Sequence, residues 1–178
     1  MIILFASGLL SFASICSVAQ NEPEDRGYIV SVGQKAPDFT VTLDNGKIVK
    51  LSGLRGKTVM LQFTASWCGV CRKEMPYIES EIWQVLKDKN FVLIGIDRDE
   101  PLEKVKTFKE QTGITYPLAL DPGGNVFKLY ALENAGVTRN VIIDKEGAII
   151  YLTRLYDREE FESMKNKIFN YIDRNEKK

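Results

Sequence analysis

Apolar runs and compact polar breaks alternate along the chain, and the spacing of the apolar positions changes from segment to segment. Residues 1–18 are almost wholly apolar or small, with Ile2-Ile3-Leu4-Phe5 and Leu9-Leu10 at their centre, and polar Gln20–Arg26 follows at once. Phe39–Leu43 and Lys47–Leu51 alternate on either side of Asp44-Asn45-Gly46, which predicts a β-hairpin. Thr58–Thr64, rich in β-branched and aromatic residues, predicts a buried central strand. Met75, Ile78, Ile82, Val85 and Leu86 recur at helical spacing, predicting a helix from about Gly69 to Lys87 that bends at Pro76. Phe91–Ile96 predicts a second buried strand. Pro101 then opens a helix carried by Leu102, Val105 and Phe108, and Gly113 ends it. Tyr116–Leu120 reads as a short extended piece and Asn125–Leu132 as one more helix. Val141–Ile143 and Ala148–Leu152 flank Asp144–Gly147 as a second hairpin, and Phe161, Met164, Ile168 and Ile172 share one face of a terminal helix.

Strands alternating with helices imply parallel pairing through right-handed crossovers, and the late hairpin adds antiparallel strands. The expected class is therefore α/β: a mixed central sheet with helices on both faces and an N-terminal β-hairpin. The globular part should run from near Val32 to about residue 174, with no second boundary or internal repeat. The leading run reads as a secretory signal over residues 1–19, because Ser17-Val18-Ala19 offers small residues for cleavage before Gln20. A lipoprotein signal ending at Cys16 and an uncleaved anchor are the alternatives; a spanning helix needs roughly 20 apolar residues. Residues 20–31 then form a polar tether. The expected location is outside the cytoplasm, in a periplasm or on the outer face of a membrane, with a possible membrane tether through the N-terminus.

Charge and composition narrow the chemistry. The 24 basic residues balance 24 acidic ones, so no cationic excess exists to neutralise nucleic-acid phosphates. The basic tail, Lys165 to Lys178, is interleaved with Asp173 and Glu176 and reads as a solvated helix face. Histidine is absent, which excludes Ser-His-Asp and Cys-His machinery and histidine-ligated zinc, haem or copper. No metal or cofactor is expected. Of the three cysteines, Cys16 falls in the leading run, leaving Cys68 and Cys71 in the globular part.

These two form a C-x-x-C pair where a predicted strand hands over to a predicted helix. At a helix N-terminus, unpaired N–H groups and the helix dipole favour a thiolate, the nucleophilic form of cysteine. Cys71 lies one turn inside, close enough to close a small disulfide ring with Cys68. Cys68 should be the more exposed sulfur and attack a partner; Cys71 should resolve the mixed disulfide. A purely structural disulfide needs neither the helix start nor the preceding Trp67. Half a zinc site would need a second cysteine pair or histidines.

The run Trp67-Cys68-x-x-Cys71-x-x-Glu74-x-Pro76 resembles the thioredoxin superfamily, and within it the exported TlpA/ResA-like thiol–disulfide oxidoreductases. Gly33-x-x-Ala36-Pro37-Asp38-Phe39, Gly56-Lys57-x-Val59 and Ile143-Asp144-x-x-Gly147 carry the same resemblance over Val32 to about Ile168. It implies a thioredoxin-like fold, a redox-active Cys68–Cys71 dithiol, and Glu74 near the site assisting proton transfer. It implies as partners proteins with cysteine thiols or disulfides and an upstream electron donor or acceptor. One position departs from the family. A cis-proline usually stands just before the strand that leads to Asp144, and here that place is held by Thr138 in Gly136-Val137-Thr138-Arg139-Asn140. A non-proline cis bond costs roughly 2.5–4 kcal/mol, so a trans bond is expected, with Thr138 or Arg139 offered to the cysteines. Arg139 beside a thiolate would lower its pKa.

The favoured activity is thus disulfide reduction on exported proteins. A peroxiredoxin-like thiol peroxidase is one rival, but Thr64 stands one place too early and Leu61 occupies the position where that pattern has proline. A non-catalytic binding module of the same fold, such as a copper carrier, is the other, and it would ordinarily add a histidine.

Overall fold

The computed structural model describes residues 26–176. Its centre is β3 (Thr58–Thr64), every residue of which is buried, as an apolar strand covered on both faces must be. β3 runs parallel to β4 (Phe91–Arg98), which runs parallel to β5 (Leu118–Asp121). On the other side β3 pairs antiparallel with β6 (Arg139–Ile143), and β6 with β7 (Ile149–Arg154). The early hairpin forms as expected: β1 (Thr40–Leu43) and β2 (Ile48–Lys50) pair antiparallel, and β1 docks on β5. The seven-stranded order is β2-β1-β5-β4-β3-β6-β7.

Alternation along β3 sorts what covers each face. Gln62 and Thr64 point toward α1 (Gly69–Tyr77), reaching Glu74 and Met75. α3 (Leu102–Thr112) shares that face, because two successive crossovers that step in the same direction across the sheet fall on the same side. Arg72 of α1 bonds Gln111 and lies over the Phe108 ring of α3. The terminal helix α4 (Arg158–Glu176) is there too, its Phe161 packed edge-on to Tyr77 of α1. Phe161, Met164, Ile168 and Ile172 form its buried stripe, as the sequence pattern predicts. The opposite face receives Phe63, whose ring packs 5.5 Å from those of Phe127 and Tyr130. Helical cover is thus present on both faces, α-helices on one and short 3-10 turns on the other.

Those turns differ from expectation. Asn125–Leu132 is not a helix; 3-10 turns at Pro122–Gly124 and Phe127–Leu129 take its place. Gly123 and Gly124 both have positive φ, which breaks any helical path before it starts. The Asp121 carboxylate instead collects the N–H groups of Val126 and Phe127 at 2.8 and 2.9 Å. The helix that begins at Gly69 also changes character after Pro76. Residues Ile78–Trp83 form a π-helical stretch before α2 (Gln84–Leu86), so the missing Pro76 N–H is accommodated by wider turns downstream. Ile78, Ile82 and Leu86 stay buried, while Val85, assigned to the same face by helical spacing, is exposed.

The packed body begins before Val32. Val30 is buried, Ile29 N–H donates to the Tyr130 carbonyl, and Arg26 pairs with Glu160 of α4. The end of the expected tether therefore belongs to the domain. The expected signal at residues 1–19, with Cys16, and residues 20–25 lie outside the described residues.

Candidate active site

The seven-residue β3 ends at Thr64, and a turn through Ala65, Ser66 and Trp67 delivers Cys68 to the N-cap of α1. Cys68 has extended backbone angles, and its sulfur accepts the Cys71 N–H at 3.1 Å, one of the donors a helix start leaves unpaired. Cys68 and Cys71 are joined as a disulfide with Cα atoms 5.3 Å apart. Cys68 keeps 7% of its surface exposed and Cys71 none, so Cys68 is the less buried of the two. Trp67, 62% exposed, forms an apolar rim beside it.

The turn is held from below. Ser66 donates its N–H and hydroxyl to the Glu100 carboxylate at 2.5 and 2.7 Å, and Lys104 closes on the same carboxylate at 2.6 Å. Burial opposes ionisation of Glu100, but Lys104 and Ser66 outweigh it and hold its carboxyl below the usual range. Arg72 Nε donates to the Ser66 carbonyl at 2.9 Å.

Across from the cysteines stands Thr138. The described residues contain no cis peptide bond, so the bond before Thr138 is trans, as expected from its side chain. Its hydroxyl lies 3.0 Å from Cys68 Sγ and 3.2 Å from Cys71 Sγ. Its carbonyl accepts the N–H of Leu155, a residue at φ 62° just past β7.

Glu74 is one helical turn beyond Cys71 and fully buried. Asn140 Nδ2 donates to Glu74 Oε1 at 2.6 Å, and Gln62 Nε2 makes a long contact to Oε2 at 3.5 Å. Tyr116 donates its hydroxyl to Gln62 Oε1 at 2.6 Å, which turns the Gln62 amide nitrogen toward Glu74. Burial pushes the Glu74 carboxyl up to about 7, against the pull of the Asn140 and Gln62 hydrogen bonds. A carboxyl pushed up to about 7 is thus buried one helical turn beyond Cys71.

The Redoxin family profile matches residues 31–168. The chain belongs to this family. Among its relatives, the thiol–disulfide oxidoreductase ResA of Bacillus cereus is 34% identical over 150 residues, covering 84% of this chain and 82% of the relative. A solution structure from Bacteroides thetaiotaomicron, described as a candidate protein disulfide isomerase, is 64% identical with a TM-score of 0.80, covering 83% of this chain and 93% of that one. The thioredoxin domain of a thiol–disulfide oxidoreductase from Bacteroides vulgatus gives 26% identity and a TM-score of 0.66, over 78% and 99% of the two chains.

Within this redoxin fold the sites read from sequence separate into two groups. Cys68, Cys71, Trp67, Glu74 and Thr138 lie at or directly behind the disulfide. Arg139 does not, and the expectation that it faces the thiolate is corrected. It is the first residue of β6, so alternation sends its side chain to the opposite face from Thr138 and Asn140. There the guanidinium lies 4.6 Å from the Tyr28 ring centroid, its Nε donates to the Gly136 carbonyl at 3.0 Å, and burial lowers its pKa against the opposing effect of Tyr28. Sequence reasoning missed Gln62, Asn140 and Tyr116, the partners that surround Glu74, and Ser66 with Glu100. Gln62 and Asn140 did leave a signal, as single amides inside otherwise apolar strands.

Proposed function

We propose that the chain is a thiol–disulfide oxidoreductase that reduces disulfides of exported proteins through its Cys68–Cys71 dithiol. The observation that carries this reading is the N-cap disulfide in which Cys68 keeps 7% of its surface exposed and Cys71 keeps none. In the reduced protein the Cys68 thiolate attacks one sulfur of a partner disulfide, forming a mixed disulfide and releasing the first partner thiolate, which takes up a proton. Cys71 gives its proton to Glu74 and attacks Cys68 Sγ. The second partner sulfur leaves as a thiolate and takes up the proton held on Glu74, and the Cys68–Cys71 disulfide remains. Two electrons have passed to the partner, and an upstream dithiol must return them.

The relatives described as oxidoreductases support the chemistry. The apolar run at residues 1–18, followed by polar residues, supports export. Among the described residues no helix is long and apolar enough to cross a membrane.

Insulin reduction driven by dithiothreitol tests the activity, and partner trapping tests the roles. Cys71→Ser should accumulate mixed disulfides with partners while Cys68→Ser should not. Equal trapping by both variants would falsify the assignment. Export predicts that mature protein from its host begins near Gln20 or carries lipid on Cys16; an intact Met1 on cytoplasmic protein would overturn it.

A further inference from the structure

We propose that the Thr138 hydroxyl is a catalytic hydrogen-bond donor to the Cys68 thiolate, and that it sets the acidity and reduction potential of the dithiol. This inference rests on the dithiol reading above and adds to it a group that proline, the usual residue of the family at this place, cannot supply.

In the oxidised protein neither sulfur carries a proton. Of the atoms within 3.0 and 3.2 Å of one another, only the Thr138 hydroxyl can donate. A hydrogen bond between them therefore runs from hydroxyl to sulfur. The hydroxyl is also held independently of the helix that bears the cysteines. Thr138 is β-branched and stiff at χ1. Its carbonyl is bound by the Leu155 N–H at 3.0 Å, and the next residue, Arg139, is paired with Phe63 across β6 and β3. When the disulfide opens and the sulfurs move apart, a donor fixed to the sheet cannot follow both. Cys68 is the nearer, and it is the sulfur that carries negative charge, so the hydroxyl stays with it. The Cys68 thiolate then has the Cys71 N–H and the Thr138 hydroxyl as donors, in a site where Thr138 itself is buried.

Hydrogen bonds to the charged form lower a pKa, and they are stronger where water is excluded. A thiolate stabilised in this way also stabilises the reduced protein relative to the disulfide, so the reduction potential rises. The hydroxyl makes this redoxin a milder reductant than the same fold would be without it.

The test compares Thr138→Val, which removes the hydroxyl at nearly constant shape, with Thr138→Ser, which keeps it. Ultraviolet thiolate absorbance is titrated in the reduced full chain, in a Cys71→Ser background so that the signal belongs to Cys68. The potential is read from equilibration of the two-cysteine protein with glutathione. Thr138→Val is expected to raise the Cys68 pKa by about one unit and to shift the redox equilibrium about tenfold toward disulfide, or about 30 mV. Thr138→Ser is expected to stay close to the parent in both. Unchanged values in the valine variant, or a serine variant that behaves like valine, overturn the proposal. If valine does not fold, Thr138→Ala is measured in its place with the same expected directions. Insulin reduction by the unmodified chain is a separate readout: activity there with no shift in these titrations removes the role of Thr138 and leaves the oxidoreductase reading intact.

Discussion

Asn140 and Glu74 meet in the interior, the amide of the strand donating to the carboxylate of the helix at 2.6 Å, and this contact ties β6 to α1 one turn behind the disulfide. The amide favours the charged carboxylate, while the surrounding burial disfavours it by more, which leaves the group titrating at about 7.

Glu74→Gln should slow the step in which Cys71 loses its proton and flatten the pH–rate profile near neutrality. Stability should respond as well. Between its ordinary value of 4.5 and about 7, the folded protein holds a proton on Glu74 that the unfolded chain has released. Stability contributed by this group is therefore full below about 4.5 and lost as pH rises to about 7, by at most about 3 kcal/mol. Urea midpoints at acid and mildly alkaline pH check this. The glutamine variant should lose that slope and exceed wild type at the alkaline end.

Asn140→Ala removes the nearer donor and leaves Glu74 with the long contact from Gln62. The acid limb of the pH–rate profile should move to higher pH, and stability should fall by about 1–3 kcal/mol, the cost of an unpaired buried polar group. A profile that keeps its position would show that Glu74 does not govern the limb.

Asp97→Asn addresses a second buried carboxyl. Asp97 is fully buried near the end of β4, beside the Glu100 carboxyl. Burial, with the charge of Glu100 added, pushes its carboxyl up to about 8. Its stabilising contribution is present at low pH and lost as pH rises toward that value. The asparagine variant should melt higher than wild type above pH 8 and show little gain near pH 4.

Arg139→Ala should weaken the fold and leave the thiols alone. The substitution removes the hydrogen bond to Gly136 and the face of Tyr28, and opens space beside Gly27. A loss of about 2 kcal/mol or more in chemical denaturation is expected, with thiolate absorbance titrating as in wild type. A shifted Cys68 titration would restore the electrostatic role that the strand geometry denies it.

Much of the fold was legible in the sequence because local pattern and final environment agree. Thr58–Thr64 reads as a central strand and is one, residue for residue. Cys68 and Cys71 announce themselves by sitting at a strand-to-helix junction. The misreadings have identifiable causes. Met75, Ile78, Ile82 and Leu86 are compatible with an α-helix and with a π-helical interruption alike, so the exposure of Val85 could not be foreseen from spacing. Asn125–Leu132 has helical composition, but the Asp121 carboxylate and two left-handed glycines decide its backbone from outside the segment. Arg139 and Thr138 are adjacent in sequence, and only the start of β6 at Arg139 reveals that they face opposite ways. The cradle of Glu74 draws on β3, β6 and the residue before Pro117, distant parts of the chain that no local pattern connects.

Thr138 reaches the sulfurs only because β6 lies against β3, with Phe63 opposite Arg139. That pairing closes a loop of more than 70 residues, and β6 is itself bordered by β7, which ends at Arg154. Long closures of this kind form late relative to local helices and hairpins. During synthesis, the Cys-x-x-Cys turn therefore emerges long before its opposing hydroxyl does. Cys68 and Cys71 thus leave the ribosome without Thr138 beside them, and the three come together only once β6 has paired with β3. The assembled site is in this sense a property of completed tertiary structure, not of the Cys-x-x-Cys turn alone.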